Sequence, residues 1–206
     1  MPEDSPAIVT HLDGAVALIR FNRPAKRNPL SIATLHNLKS ALSELIVVDE
    51  IKTIIFTGTA DVFASGADLR ELSQLDHVSA LEFSHLGQRI FQTIADARQL
   101  TIAAINGYCI GGGLDLALAC NIRVASPNAI FAHPGVRLGI ITGWGGTQRL
   151  PRIIGRARAM ELMLTGRTLS SDAALSIGLV TRVEDPILAC ALAISRASPV
   201  QVALNR

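Results

Sequence analysis

Residues 101–120 read TIAAINGYCIGGGLDLALAC, and this stretch decides the fold that the sequence predicts. Its first part, Thr101 to Asn106, is short and apolar, as is typical of a strand buried on both faces. Glycines follow at positions 107 and 111–113, and an apolar helical pattern then resumes at Leu114. Because glycine permits sharp bends and close approach of the backbone, we predict a strand-to-helix junction there.

A junction of this kind presents backbone N–H groups that have no partner inside the helix. With the positive end of the helix dipole behind them, these donors suit a negatively charged oxygen, either a phosphate or the oxyanion of an enolate. A dinucleotide site needs a third glycine in the order G-x-G-x-x-G, and counted from Gly111 and Gly113 that place is Leu116. The spacing therefore argues against a dinucleotide site, and the alternative is a tight turn that binds nothing.

A second stretch repeats the arrangement. Ile54 to Gly58 is typical of another buried strand, and after the loop Thr59 to Gly66 a helical pattern begins near Asp68. Small residues form the turn at 64–67, as they do at 111–113. We therefore predict that two backbone N–H groups, one from each turn, converge on one carbonyl oxygen.

Four segments, in this order along the chain, resemble the crotonase, or enoyl-CoA hydratase/isomerase, superfamily. They are Asn22–Leu30 (NRPAKRNPL), Phe63–Leu69 (FASGADL), Asn106–Ala117 (NGYCIGGGLDLA) and Gly143–Pro151 (GWGGTQRLP). The resemblance spans nearly the whole chain and implies an α/β fold, the crotonase-like ββα spiral, as a single acyl-CoA-binding domain over residues 1–206. It also implies a coenzyme A thioester as substrate and an oxyanion hole formed by the N–H groups of Ala67 and Gly112.

The resemblance implies further site residues. Asp115, at the start of the helix after the glycines, is expected to orient or activate water, so the predicted catalytic residues are Ala67, Gly112 and Asp115. The predicted substrate-binding residues are Lys26, Arg27, Ala64, Ser65, Gly66, Asp68, Leu69, Tyr108 and Gly111. For the two basic residues the alternative is a solvated loop charge. Coenzyme A is expected as part of the substrate, with no permanently bound cofactor and no metal.

Hydratases of the family carry two glutamates that activate water and handle the proton at the α-carbon. This sequence has Asp115 at the first position and Gly135 at the second, so one carboxylate is shorter and the other is absent. Because a displacement of about 1 Å in a positioned group costs on the order of a hundredfold in rate, we expect the usual pair to be impaired. Asp115 has the alternative role of stabilising a helix start. His133 is a candidate base near Gly135, with a structural role as its alternative.

The composition limits the classes of protein to which this chain can belong. With 206 residues, 49% of them apolar and 17% charged, the chain predicts one globular domain. A net charge of +2 gives no support to nucleic acid or an acidic membrane surface as a partner. The three cysteines, Cys109, Cys120 and Cys190, are widely spaced among apolar residues, which indicates reduced thiols in a cytoplasmic protein. The first residues lack the basic region and the apolar core of a signal peptide, and no apolar run approaches the length of a membrane span, so we expect neither segment.

The sequence therefore predicts an enoyl-CoA hydratase-like lyase that stabilises an enolate. The alternatives are an enoyl-CoA isomerase and a catalytically silent acyl-CoA-binding subunit. A serine hydrolase is a remote alternative, because this chain contains no G-x-S-x-G element. The family resemblance implies a homotrimer or a dimer of trimers. Family members carry further C-terminal helices past residues 197–199 that build the trimer and close the acyl pocket, so we expect the fold to lack those helices.

The remaining pattern predicts a β-hairpin around Asp13-Gly14 and an irregular loop over residues 22–30. The predicted helices are one capped by Ser31, one over 78–97 with the apolar stripe Leu81, Ile90, Phe91 and Ile94, and others over 157–164, 170–178 and 186–197. Short strands are predicted at 122–125, 129–131 and 179–183, with a glycine-rich loop over 132–144.

Overall fold

The computed structural model describes residues 6–197 of the chain. Its strands are β1 (Ile8–Asp13), β2 (Val16–Phe21), β3 (Pro29–Leu30), β4 (Thr53–Thr57), β5 (Val62–Ala64), β6 (Gly66–Ala67), β7 (Leu100–Ile105), β8 (Tyr108–Ile110), β9 (Ile122–Ala125), β10 (Ile130–Ala132), β11 (Leu169–Ser170) and β12 (Arg182–Val183). Its α-helices are α1 (Ile32–Leu45), α2 (Leu69–Leu72), α3 (His77–Ala95), α4 (Gly112–Ala119), α5 (Gly146–Ile154), α6 (Arg156–Thr165), α7 (Ser171–Ser176) and α8 (Ile187–Ala197). Single 3₁₀ turns cover Pro24–Lys26 and Pro134–Leu138.

Successive pairs of strands build two sheets at once. The first strand of each pair (β4, β7, β9) joins a six-stranded sheet in the order β1, β2, β4, β7, β9, β12. The second strand (β5, β8, β10) joins a four-stranded sheet in the order β11, β10, β8, β5, and helical structure follows each pair. Neighbouring strands are parallel except for β1 with β2 and β10 with β11. Each strand pair therefore adds one strand to both sheets, and the chain advances as a spiral.

The six-stranded sheet is covered on both faces, as its sequence predicts. All residues of β4 and β7 are buried. Ile54 and Phe56 of β4 pack into the main core with α1, α3 and α4, whereas Ile55 packs into a second cluster with α8. Continuous apolar runs are required here because helices lie on both sides of the parallel strands.

Local signals placed several elements correctly. The hairpin of β1 and β2 pairs Asp13 with Val16 around Gly14, which has φ +56°. The Ser31 side chain accepts a hydrogen bond from the N–H of Thr34 and caps α1, whose four leucines at 35, 38, 42 and 45 are buried. These predictions depend on a turn residue, a cap and a helical repeat, and each acts within a few residues.

Other predictions were wrong. Leu81 is 54% exposed and does not belong to the apolar stripe of α3. The predicted loops over 59–66 and 22–30 contain β5 and β3, and the strand expected over 179–183 is reduced to β12. Four elements, β6, β8, β11 and α5, were not predicted. The expected lack of further C-terminal helices concerns residues beyond 197, which lie outside the described residues.

Candidate active site

Two turns meet at the edge where neighbouring strands end. β5 and β8 are parallel neighbours, so the segments that follow them emerge on the same side of the sheet. Gly66 has φ +91°, and a Cβ there would lie 2.9 Å from the nitrogen of Gly112. A Cβ on Gly112 would in turn lie 3.5 Å from the nitrogen of Ala67. The amide nitrogens of Ala67 and Gly112 are therefore close neighbours, and this approach requires glycine at position 66.

Trp144 supports Gly112 from the other side. A Cβ on Gly112 would lie 2.3 Å from the indole ring, and a Cβ on Gly87 of α3 would lie 2.4 Å from it. The rings of Phe83 and Phe91 contact the indole edge-on, with centroids 5.1 and 5.6 Å away. This packing fixes the first residue of α4, and the sequence reasoning gave Trp144 no role.

A cavity of about 390 Å³ opens beside the two turns. Ala67 and Gly112 line it on one side, and apolar side chains from α2, α3 and the segment 134–144 line most of the rest. Asp115 and His133 are the ionisable side chains among the described residues that line it. The cavity is thus an apolar space with a pair of adjacent amides and one pair of ionisable groups.

Asp115 is held by three parts of the chain. It lies in the first turn of α4 and is 1% exposed, and its Oδ2 accepts a hydrogen bond from the hydroxyl of Thr142. The N–H of Trp144 also donates to the carboxylate. A Cβ on Gly146 would lie 2.1 Å from Oδ1, so α5 packs directly against the carboxylate where its first residue has no side chain. The carboxylate position therefore depends on α4, the segment 142–144 and α5 together.

His133 follows β10 directly, and its imidazole faces Asp115. Nε2 of His133 lies 3.3 Å from Oδ1 of Asp115, yet neither atom makes a well-directed hydrogen bond to any of the described residues. Burial raises the pKa of Asp115 to about 7, while the Thr142 hydroxyl, the Trp144 N–H and the charge of Arg149 act in the opposite direction. Burial lowers the pKa of His133 to about 4. Both shifts favour the uncharged forms, because each charged form is poorly solvated in this position.

The structure brings together only part of the predicted set. The predicted residues that line the cavity are Ser65, Gly66, Ala67, Leu69, Gly111, Gly112 and Asp115. The others lie outside its lining: Ala64 is fully buried, and the carboxylate of Asp68 accepts the N–H of Arg70 and caps α2. The guanidinium of Arg27 stacks over the ring of Tyr108 at 5.0 Å, and Lys26 is exposed in the 3₁₀ turn before it.

Asn28 is a supporting residue that the sequence reasoning missed. Its side chain is buried, and Nδ2 donates to the carbonyl oxygens of Val62 and Phe63 at 2.9 and 3.3 Å. Its Oδ1 accepts the N–H of Arg23 at 2.6 Å. Asn28 thereby joins the basic loop to β5, just before the turn that carries Ala67. Its positive φ of 49° is a conformation that asparagine tolerates better than most residues.

Residues 6–197 contain neither a candidate metal site nor a candidate membrane span. No cluster of three or more histidine, cysteine or acidic side chains there is arranged to hold a metal ion. None of the helices in the same range is long and apolar enough to cross a membrane. The three cysteines are buried and unpaired.

Comparison with known proteins gives a consistent result. A family model described as enoyl-CoA hydratase/isomerase matches residues 11–194. The short-chain-enoyl-CoA hydratase of Clostridium acetobutylicum is 37% identical over 180 residues, which cover 87% of this chain and 69% of that protein. The putative enoyl-CoA hydratase/isomerase YngF of Bacillus subtilis is 45% identical over 172 residues, which cover 83% and 66%.

The fold comparison agrees with the sequence comparison. The crystal structure of an enoyl-CoA hydratase from Bacillus anthracis superposes with a TM-score of 0.90 at 34% identity. The match covers 93% of this chain and 76% of that one. The predicted crotonase-like α/β spiral is therefore confirmed.

Proposed function

This chain belongs to the enoyl-CoA hydratase/isomerase family, and from that premise we propose that it hydrates the double bond of a 2-enoyl coenzyme A thioester. The observation that carries the proposal is the close approach of the Ala67 and Gly112 amides at the wall of an apolar cavity. The N–H groups of these two residues form the oxyanion hole in this proposal, and the thioester carbonyl oxygen binds between them.

The position of Gly112 supports this role. It is the first residue of α4, so its N–H has no acceptor within the helix, and the positive end of the helix dipole lies behind it. Charge that develops on the thioester oxygen as an enolate forms is stabilised by such fixed donors. Loss of one donor of this type costs about 3 kcal/mol in other enzymes, so the pair is the largest single catalytic contribution in this proposal.

Asp115 holds and activates the water in the proposed reaction. Its carboxylate is buried at the cavity wall, and the Thr142 hydroxyl and the Trp144 N–H fix one side of it. The pKa of about 7 keeps a substantial fraction of the group ionised near neutral pH, and an ionised carboxylate can accept a proton from water. The water oxygen then adds to the β-carbon while the enolate forms at the thioester.

The coenzyme A part of the substrate binds outside the cavity in this proposal. Lys26 and Arg27 lie on the exposed loop that Asn28 anchors to β5, and their charges suit the phosphates. Ser65, Gly66, Leu69 and Gly111 contact the substrate at the cavity, and no permanent cofactor takes part. The homotrimer or dimer of trimers remains a prediction from the resemblance, which light scattering tests. The buried, unpaired cysteines support a cytoplasmic location.

Turnover of purified protein tests the proposal. We expect loss of the conjugated enoyl absorbance with a 2-enoyl-CoA, and a decrease of about a hundredfold or more in kcat for Asp115→Asn. Conversion of a 3-enoyl-CoA without hydration would instead support the isomerase alternative. That reaction needs only one carboxylate, and Asp115 is the one carboxylate among the described residues that line the cavity. Binding of both thioesters without turnover of either would identify a silent acyl-CoA-binding subunit.

A further inference from the structure

The backbone around Gly135 excludes the second carboxylate that the resemblance implies. Gly135 lies in the 3₁₀ turn after β10, and a Cβ there would lie 2.7 Å from the carbonyl oxygen of Ile140. That distance is shorter than any normal contact of a side-chain carbon. A glutamate does not fit at this position without movement of the backbone, so the site as built needs another group for the second proton.

The position of His133 makes it the candidate for the group that handles the second proton. It is the one ionisable cavity residue besides Asp115 in the described part of the chain, and it lies two residues before Gly135. Its Nε2 and the Asp115 Oδ1 are both buried, lack a hydrogen-bond partner there and lie 3.3 Å apart. Two buried polar atoms left in this state are costly, and a role in binding a ligand or moving a proton explains why they are retained.

We propose that His133 is the second catalytic acid–base group of this site and replaces the absent glutamate by giving a proton to the α-carbon. This inference rests on the proposed hydration reaction. It assigns the chain a carboxylate and an imidazole where the family relatives are expected to use two carboxylates. The two groups come from the segments after β8 and β10, which are parallel neighbours in the four-stranded sheet.

The proton balance closes with one proton on the pair. The pKa values place this proton on Asp115 in the free site, and transfer from Oδ1 to Nε2 gives the reactive form with an ionised Asp115 and a protonated His133. In that form the Asp115 carboxylate accepts a proton from water as the water oxygen bonds to the β-carbon. The π electrons of the double bond move toward the thioester, and the imidazolium gives its proton to the α-carbon. Asp115 is then protonated and His133 neutral, so the pair still holds one proton. This is again the resting distribution of the proton, so the cycle closes without a further transfer.

Within residues 6–197, few other charged groups face this pair. The charge of Arg149 in α5 lowers the pKa of Asp115. The buried thiol of Cys109 in β8 also interacts electrostatically with Asp115. Burial holds the pKa of Cys109 well above its ordinary value, so that thiol stays neutral. With the pKa of His133 at about 4 and that of Asp115 at about 7, the pair holds one proton between these pH values. Hydration by the wild type should therefore fall on both sides of this range.

The test compares His133→Gln with His85→Gln, since His85 is an exposed histidine of α3 outside the cavity lining. With a four-carbon 2-enoyl-CoA, we expect His133→Gln to lower kcat by about a hundredfold or more and to change KM by less than about threefold. The pH range of the residual activity should also change, because without His133 the ionised form of Asp115 prevails only above about pH 7. Exchange of the α-hydrogens of butyryl-CoA in deuterium oxide should stop in His133→Gln and continue in His85→Gln.

A second measurement covers the case in which His133→Gln does not fold. In the wild type, NMR of labelled histidine should show a His133 imidazole whose titration changes when Asp115→Asn is introduced. A fully active, folded His133→Gln with an unchanged pH profile, or an imidazole indifferent to Asp115→Asn, would overturn the inference while leaving hydration in place. A wild type without turnover would overturn both proposals.

Discussion

The two walls of the cavity are built in different ways. One wall consists of backbone, where the turns at 65–67 and 110–112 touch through glycine and present the amides of Ala67 and Gly112. The other consists of side chains, where Asp115 and His133 face each other at 3.3 Å. The backbone wall is set by two short turns, whereas the side-chain wall depends on four separate segments. We therefore expect the first to be chemically fixed and the second to be adjustable.

The largest expected effect on the rate comes from removing one N–H donor from the backbone wall. Ala67→Pro removes one N–H donor, and we expect hydration to decrease by about a hundredfold to a thousandfold because a single donor to an oxyanion is worth that much. Ala67→Gly keeps the N–H and serves as the control, with activity expected near that of the wild type. The measurement is kcat, with circular dichroism to verify folding. Unchanged turnover in Ala67→Pro would remove this amide from the mechanism.

A smaller effect is expected when the side-chain wall is displaced. Gly146→Ala places a methyl group where Oδ1 of Asp115 lies, at 2.1 Å in the present geometry, so the carboxylate must move. Because a displacement of about 1 Å costs on the order of a hundredfold, we expect kcat to fall by up to that factor.

The double variant decides whether this effect passes through the carboxylate. In an Asp115→Asn background, Gly146→Ala should add little further loss, since the two changes act on one group. Fully additive losses in the double variant would show that Gly146 acts on the reaction by another route.

The contribution of Asn28 to the backbone wall can be measured as a change in the free energy of unfolding. Asn28→Ala leaves the carbonyl oxygens of Val62 and Phe63 without their side-chain donor, and we expect a loss of about 2 kcal/mol in the free energy of unfolding. Asn37→Ala, on the exposed face of α1, is the matched control and should change stability by less than about 0.5 kcal/mol. Urea denaturation of both variants gives the comparison. Equal losses would show that Asn28 does not anchor β5.

The smallest expected effect distinguishes the two members of the side-chain pair by pH. The raised pKa of Asp115 stabilises the fold fully below about pH 3.8, and this contribution is lost as the pH rises through about 7. The lowered pKa of His133 has the opposite sign: its contribution is complete above about pH 6.5 and is lost as the pH falls through about 4. Relative to the wild type, Asp115→Asn should therefore gain stability as the pH rises, and His133→Gln as it falls.

Each slope should be at most about 1.4 kcal/mol per pH unit, the value for one proton. Urea denaturation between pH 4 and 7 provides the measurement. Curves that run parallel to that of the wild type in both variants would contradict the assigned shifts.

The contrast between the backbone wall and the side-chain wall also explains which parts of the site could be predicted from the sequence. The glycine turns were predictable because positive φ and close approach demand particular residues within a few positions. The contact of Asp115 with His133, Thr142 and Gly146 was not, since it depends on which strand ends lie side by side. The sequence reasoning named His133 as a candidate base, and the structure adds its distance from Asp115.

The missed elements have local causes. β5 and β8 have three residues each, too few for a periodic pattern to be recognised. α5 contains Pro151 and begins after Gly145, so its sequence lacks both a favourable cap and an uninterrupted helical repeat. Leu81 matched the spacing of an apolar stripe, but α3 turns that position to solvent.

The spiral winding has a consequence for how this architecture acquires new chemistry. Because β5, β8 and β10 run parallel in adjacent places, the loops after them open onto one shared edge while remaining distant in the chain. In the proposed reaction, a change of residue in the loop after β10 would alter which group gives the proton to the substrate, and it would leave the two loops that present the amides of Ala67 and Gly112 untouched. A single lineage can thus diversify its reactions one loop at a time on an unaltered frame.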